Sequence, residues 1–238
     1  MAVTTPDNSK NSRSLIIFAK KPVPGGVKTR LSPPLTGEEA AELYSCMLKD
    51  TLAMAAGLDG VITVIFFQDE QGAAEYFSAL APETESFPQE GADLGERIKS
   101  AFSNRFACGF RQVVVIGSDS PDLPSEYILE AFRLLASEKI DLVLGPAGDG
   151  GYYLLGLKMV RDELFCGIPW SSGAVFAATV ERAKASCLGV SYLPVWHDID
   201  TAADLERQEL LNPDSPATGT REFIISALQP GSPHSADN

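Results

Sequence analysis

Apolar stretches of strand length alternate with longer helical patterns along most of the chain, and this alternation limits the available folds more than any other feature. Leu15–Ala19, Val61–Phe67, Val113–Ile116, Asp141–Gly145, Tyr152–Leu157 and Val190–Pro194 have the length and the aliphatic, β-branched character of strands. Helices are expected between them. One opens at Thr36, with Glu39 three residues on as its capping-box partner, and runs to about Ala56. Others cover Glu70–Leu80, the stretch capped by Asp93 with Glu96 at the third position, Ser125 to about Ala136, and Ser172 or Gly173 to about Ser186. A short helix follows Thr201 through Leu205 and Leu210, and a last one covers Arg221–Leu228. Strands such as Val113-Val114-Val115-Ile116 have no polar alternation, so both of their faces are buried. The expected fold is α/β, a three-layer α/β/α arrangement around a mostly parallel, open mixed sheet.

The chain has 238 residues, 45% hydrophobic and 21% charged, which is ordinary for a globular protein. A single domain is expected over residues 14–228, between disordered segments at 1–13 and 229–238. No apolar run approaches the ~20 residues that span a bilayer. The polar start, Met1 to Ser14, does not read as a signal peptide, so a cytoplasmic location is expected. Cys46, Cys108, Cys166 and Cys187 are far apart and form no CxxC pair, which argues for buried or neutral thiols rather than disulfides or a zinc site. A net charge of −13 disfavours nucleic acid as a partner. Against that acidity, residues 10–30 carry Lys10, Arg13, Lys20, Lys21, Lys28 and Arg30 with no acid among them, which suggests a small anionic ligand. The sequence does not indicate an oligomeric state.

In open parallel sheets ligands bind outside the carboxyl ends of the strands. Four segments follow strands in this way. Lys20 to Leu31 contains Gly25, Gly26, Lys28 and Arg30, and glycines with cations suit a phosphate; the spacing is not that of a Walker loop. Its plain alternative is a solvated loop, but its place after the first strand favours the phosphate. Gly117-Ser118-Asp119-Ser120-Pro121-Asp122 follows the central strand, and Asp119 is the candidate ligand for Mg²⁺ or Mn²⁺, whereas Asp122 is expected to make a turn or cap the next helix. Asp198 and Asp200, two apart in an extended segment, point the same way and are candidates for the same ion. His197 is read as a surface or packing residue, and Asp204 as the capping partner of Thr201. The loop Pro146–Gly151 reads as a tight hairpin, a close backbone approach to a ligand through Gly150 and Gly151, or both. Asp149 is its only ionisable side chain and the candidate acceptor-side hydrogen bond or general base. Ser171 and Ser172 ahead of a helix read first as an ordinary cap and second as an anion site.

Together these segments resemble the GT-A nucleotide-diphospho-sugar transferase superfamily, and within it the radical-SAM/selenodomain-associated transferase-1 family. The resemblance is carried by Ile16-Ile17-Phe18-Ala19-Lys20, Lys28-Thr29-Arg30-Leu31, Gly117-Ser118-Asp119-Ser120-Pro121, Asp149-Gly150-Gly151-Tyr152-Tyr153 and Asp198-Ile199-Asp200-Thr201, over roughly residues 14–210. It implies that the nucleotide lies on the N-terminal half of the sheet and the acceptor on the C-terminal half. It further implies that Ala19, Lys20, Lys28 and Arg30 contact the nucleotide, that Gln89, Gly91 and Leu94 lie near the base or ribose, and that Asp119 is the metal aspartate. The chain has Asp-Ser-Pro where many glycosyltransferases have Asp-x-Asp, so Asp198 and Asp200 would have to make up the missing carboxylate. The related phospholactate guanylyltransferases use a comparable set of three carboxylates, and in them the segment matching Ser171-Ser172-Gly173 holds an acceptor phosphate.

Two reactions use these parts. In glycosyl transfer from a nucleotide-diphospho-sugar, a small-molecule acceptor attacks the sugar carbon and a nucleoside diphosphate leaves. In nucleotidyl transfer from a nucleoside triphosphate, an acceptor phosphate attacks the α-phosphorus and pyrophosphate leaves. In either, Lys28 and the metal stabilise the leaving charge, and Lys28 and Asp149 are the expected catalytic side chains. The family resemblance favours glycosyl transfer, and the carboxylate pattern leans toward nucleotidyl transfer. A nucleotide-binding module without turnover is the third reading.

Overall fold

The computed structural model describes residues 12–228. The expected disordered segments therefore fall outside the described residues, except that Arg13 already opens the first strand. The elements in chain order are β1 (Arg13–Ala19), α1 (Gly37–Ala56), β2 (Val61–Phe67), α2 (Ala73–Leu80), β3 (Glu85–Pro88), α3 (Leu94–Ala107) and β4 (Gln112–Gly117). They continue with α4 (Ser125–Leu135), β5 (Leu142–Pro146), β6 (Tyr152–Leu157), α5 (Val175–Ala185), β7 (Val190–Tyr192), α6 (Gln208–Leu211) and α7 (Thr218–Ala227).

The seven strands form one sheet in the order β3-β2-β1-β4-β6-β5-β7. Only β6 runs antiparallel to its neighbours. The expected mostly parallel, helix-covered sheet is thus the observed one. Side chains of β1 alternate between two cores. Leu15 and Ile17 pack with Val114, Ile116 and Phe132 on one face, and Ile16 packs with Val115, Ile98 and Phe102 on the other. Strand β1 is flanked by β2 on one side and β4 on the other, so the chain winds outward in both directions from this point. Such a reversal leaves a crevice at the carboxyl ends of the two central strands, here just beyond Ala19 and Gly117.

A further apolar cluster lies to the side of the sheet. Val27, Leu31 and Leu35 from the loop after β1, and Ile199 and Leu205 from the segment after β7, pack with Leu43, Tyr44 and Met47 of α1 and with Ile224 of α7. This packing draws together two loops that are 170 residues apart in sequence. The capping box at Thr36 and Glu39 forms as expected, as do the Asp93 cap and the Thr201–Asp204 pair.

Several expectations shift. Strand β3 is not among the strands expected from the sequence; it is a four-residue edge strand paired on one side only and ended by Pro88, too short to carry a pattern. Helix α5 begins at Val175 rather than at Ser172 or Gly173, because Ser171 takes a left-handed φ of 63° and the Ser172 hydroxyl bonds back to the Pro169 carbonyl at 2.6 Å. Asp122 caps nothing: it is buried beside Arg207, with 3.4 Å between carboxylate and guanidinium. The four cysteines are free, but Cys108, Cys166 and Cys187 are exposed and Cys46 only partly buried, so they are not core thiols. Among the described residues no helix is long and apolar enough to cross a membrane.

Helix α7 starts at Thr218, three residues earlier than its apolar pattern suggests, because Asp50 of α1 supplies its cap. The Asp50 carboxylate accepts from the Gly219 and Thr220 amides at 3.1 and 2.7 Å and from the Thr220 hydroxyl at 2.7 Å. Replacing a capping carboxylate by alanine costs about 1–2 kcal/mol. Asp50→Ala should lower the urea midpoint by that free energy divided by the slope, with the slope itself unchanged; an unchanged midpoint would show that α7 is held by packing alone.

Candidate active site

The crevice beyond β1 and β4 is a cleft of about 820 Å³, within the range of nucleotide-sized sites. Its walls are the loop after β1, the start of α3, the loop after β4 and the segment after β7. Lys28 stands at its centre. Its backbone is left-handed, φ 49°, a conformation that costs a non-glycine residue about 1–2 kcal/mol. The turn persists because the Lys28 carbonyl accepts from the Leu31 amide at 2.9 Å and because Val27 and Leu31 on either side are buried. The result is a lysine side chain only 4% exposed, with Nζ 2.5 Å from Asp119 and 3.1 Å from Asp200. Burial alone would push the Lys28 pKa down. The charges of Asp119 and Asp200 outweigh it, and the net direction is up, so the ammonium stays protonated.

The two carboxylates are about half exposed, 46% and 44%, and open onto the cleft. Arg30 lies at the mouth, 72% exposed and 3.9 Å from Asp200, an ion pair too open to be worth much by itself. The segment after β7 is tied to the strand end by the Ile199 amide, which donates to the Asp119 carbonyl at 2.9 Å. Asp198 accepts from the Ser120 hydroxyl at 2.7 Å. Burial, together with the nearby charges of Asp119 and Asp200, pushes its pKa up to about 6, against the opposing effects of Ser120 and Lys28.

The sequence-derived residues divide clearly. Ala19, Lys20, Lys28, Arg30, Gln89 and Leu94 line the cleft, as do Asp119, Asp198, Asp200 and Ser171. Gly91 does not line it. Its φ of 143° and the tight approach of Glu96 and Arg97 make it a turn glycine that lets α3 begin, and its carbonyl accepts from Arg97. Asp149, Gly150, Gly151 and Ser172 also lie off the cleft wall. The Asp149 carboxylate accepts from the Gly151 amide at 2.8 Å and closes the β5–β6 hairpin. The close approach of Gly150 is to protein: a Cβ there would lie 2.1 Å from the Gly173 carbonyl oxygen, and its own carbonyl accepts from Phe176 in the first turn of α5. His197 is exposed and packs beside Gly148, as a surface residue does.

The three aspartates meet, but not as the expected triad. Among the described residues no three acidic, histidine or cysteine side chains converge closely enough to hold an ion. Asp198 is turned to Ser120, and Lys28 occupies the space between the other two. The donors nonetheless fit a hard dication, since two carboxylates with outward-facing oxygens already hold a cation in common.

Three participants were not singled out from sequence. The Tyr44 hydroxyl accepts from the Lys20 amide at 2.9 Å and lies 2.6 Å from the Ser118 hydroxyl, so it pins the ends of β1 and β4 to each other. Burial and the charge of Asp119 push its pKa well above the usual phenol value. Ser120 orients Asp198. Trp170 lies directly on Gly95 in the first turn of α3, where a Cβ would be 2.3 Å from the indole nitrogen. A glycine inside a well-capped helix was the available signal for that contact.

The fold places this charged cleft at the strand ends of a three-layer α/β domain. Residues 51–172 match the family DUF2064, described as uncharacterized proteins conserved in bacteria, and the chain belongs to that family. It superposes on the crystal structure of a candidate nucleotide-diphospho-sugar transferase from Desulfovibrio desulfuricans G20 with a TM-score of 0.81 and 36% identity, covering 91% of this chain and 98% of that one. It is 34% identical over 143 residues to a 2-phospho-L-lactate guanylyltransferase of Methanocaldococcus jannaschii, which is 60% of this chain but only 59% of that relative's length. It is also 25% identical over 194 residues to a phosphoenolpyruvate guanylyltransferase of Mycobacterium marinum, 80% of this chain and 85% of the relative.

The raised Asp198 pKa has a measurable consequence. A carboxyl whose folded pKa is raised favours the folded state below its unfolded pKa, near 3.8, and loses that advantage as pH rises through about 6. Asp198→Asn keeps the oxygen that accepts from Ser120 and removes the charge. It should therefore raise stability by about 2 kcal/mol at pH 8, with the gain gone below pH ~4. A gain that is the same at both pH values would show that the charge is not the cause.

Proposed function

We propose that the chain is a metal-dependent nucleotidyltransferase that joins a nucleoside monophosphate, a guanylyl group in the first instance, to a small phosphorylated acid with release of pyrophosphate. The observation that carries this reading is the meeting of Lys28 and Arg30 with Asp119 and Asp200 at the mouth of the β1–β4 crevice. The two named guanylyltransferase relatives support nucleotidyl rather than glycosyl transfer, so the preference for a glycosyltransferase drawn from the sequence gives way to its alternative. The finer placement in the radical-SAM/selenodomain-associated branch rests on the sequence motifs alone. A cytoplasmic setting and a single domain over residues 14–228 belong to the same proposal.

Nucleotidyl transfer suits what the cleft holds. An acceptor phosphate carries about −1.5 to −2 charge at neutral pH, so its oxygen attacks the α-phosphorus without giving up a proton to a base. One O–P bond forms, the bond to the β-phosphate bridge breaks, and the electron pair leaves with pyrophosphate. The work left to the protein is positioning and charge stabilisation. Lys20, Lys28 and Arg30 line the cleft that receives the triphosphate, and Tyr44 holds the Lys20 backbone by accepting from its amide. Asp119 and Asp200, with Asp198 behind them, would hold Mg²⁺ or Mn²⁺, which neutralises phosphate oxygens when bound. The acceptor is assigned to the C-terminal side, next to Ser171 and Trp170, which line the cleft.

The test is to incubate the purified protein with Mg²⁺, guanosine triphosphate and either 2-phospholactate or phosphoenolpyruvate, with nucleotide-sugars in parallel. Pyrophosphate should appear only with an acceptor present. Asp119→Ala should lower the rate about a hundredfold or more, and Arg30→Ala should raise the nucleotide KM about tenfold by removing a charged hydrogen bond. Nucleoside diphosphate from a nucleotide-sugar, with no pyrophosphate from any triphosphate, would restore glycosyl transfer. Binding with neither product would leave a nucleotide-binding module.

A further inference from the structure

We infer that Lys28 is a tethered stand-in for the divalent cation, and that it keeps the metal site closed until a triphosphate draws its ammonium away. The inference rests on the proposed function in taking Asp119 and Asp200 as cation ligands, and it adds an order of binding that the reading does not require. The lysine is not a flexible surface cation that happens to reach two acids. Its side chain is buried while both of its partners remain half exposed, so the ammonium is the enclosed member of the trio. Its backbone is fixed in a left-handed turn between two buried apolar residues, and the segment bearing Asp200 is pinned to the loop bearing Asp119. The cation is thus supplied at a fixed place by the chain itself, at the high effective concentration that tethering gives.

Two consequences follow. In the free protein, a dication can reach both carboxylates only if Lys28 leaves them, and a buried ammonium that leaves needs another anion. Among the described residues no further carboxylate is paired with it: Asp198 is held by Ser120, and Asp149 and Asp204 are bound into their own turns. The anion that fits is the triphosphate, which enters the cleft Lys28 lines. Lys28 then moves from carboxylate to phosphate and frees the carboxylates for the ion. Nucleotide and metal therefore favour each other's binding, and the coupling runs through this one side chain. Without a nucleotide the protein keeps its acid pair neutralised and takes up little metal.

The test uses Mn²⁺ alone as the probe, with the full chain and no nucleotide, and counts bound ion by electron paramagnetic resonance. Wild type should bind Mn²⁺ weakly. Lys28→Met should bind it at least about tenfold more tightly, within the range of ordinary coupling, and Asp119→Asn added to Lys28→Met should abolish the gain. Equal or weaker binding by Lys28→Met would overturn the inference, as would a gain that survives Asp119→Asn. Should Lys28→Met fail to fold, the wild type can be followed by ¹⁵N resonance of its lysine ammonium groups. The Lys28 signal should be slow to exchange in the free protein and should be lost or moved when Mg²⁺ is driven on at high concentration. A Lys28 signal unchanged at saturating Mg²⁺ would overturn the inference. Because these measurements contain no nucleotide, their failure leaves the transfer reaction to be judged by the pyrophosphate assay.

Discussion

A lysine ammonium held between two carboxylates that arrive from distant parts of the chain is the interaction on which the site depends. Asp119 comes from the end of the central strand, Asp200 from the segment after β7, and Lys28 from the loop after β1. The trio does not hold itself together by charge. An exposed ion pair is worth about 0–1 kcal/mol, and a buried ammonium pays a desolvation penalty of several kcal/mol before any gain. Each buried aliphatic side chain beneath the loops is worth about 1.5–3 kcal/mol. Val27, Leu31, Ile199 and Leu205 packed on α1 therefore decide that the loops meet, and the charges above them decide what can bind there.

That division of labour explains how much of the molecule was legible in the sequence. Strand runs such as Val113–Ile116 and helix starts at Thr36, Asp93 and Thr201 are set by local chemistry, and these were read correctly. The topology places the ends of β1 and β4 side by side, so Lys28 and Asp119 could be named from their position after strands. The cleft's general position was legible for the same reason. What local chemistry does not encode is which side chain faces which. Asp149 looked free because it was the only ionisable group in its loop, yet the hairpin uses its carboxylate to close the turn. Asp122 looked like a cap because a helix follows it, yet Arg207 from 85 residues later reaches it in the interior. Tyr44 passed unnoticed because it lies on the buried face of an ordinary amphipathic helix; only the packed sheet brings its hydroxyl to Lys20 and Ser118.

The reassigned residues also simplify the chemistry. With Asp149, Gly150 and Gly151 bound into the junction between the β5–β6 hairpin and α5, none of them stands on the cleft wall as a proton acceptor. A reaction whose nucleophile is already anionic has no need of one. The site is built to manage charge: an enclosed cation, two half-open acids, an exposed arginine at the rim and a phenol that fixes a backbone amide. Under the proposed function the cations face phosphate oxygens and the acids hold the metal, and none of these groups supplies covalent chemistry.

The most direct measurement is an anomalous-scattering map from crystals of the chain grown with Mn²⁺ and a non-hydrolysable guanosine triphosphate analogue. Manganese should appear between Asp119 and Asp200, with the Lys28 ammonium moved onto the phosphates and the guanosine on the Gln89 side of the cleft. A triphosphate bound away from the β1 loop, or manganese on other residues with Lys28 still bridging the two aspartates, would contradict the central claim.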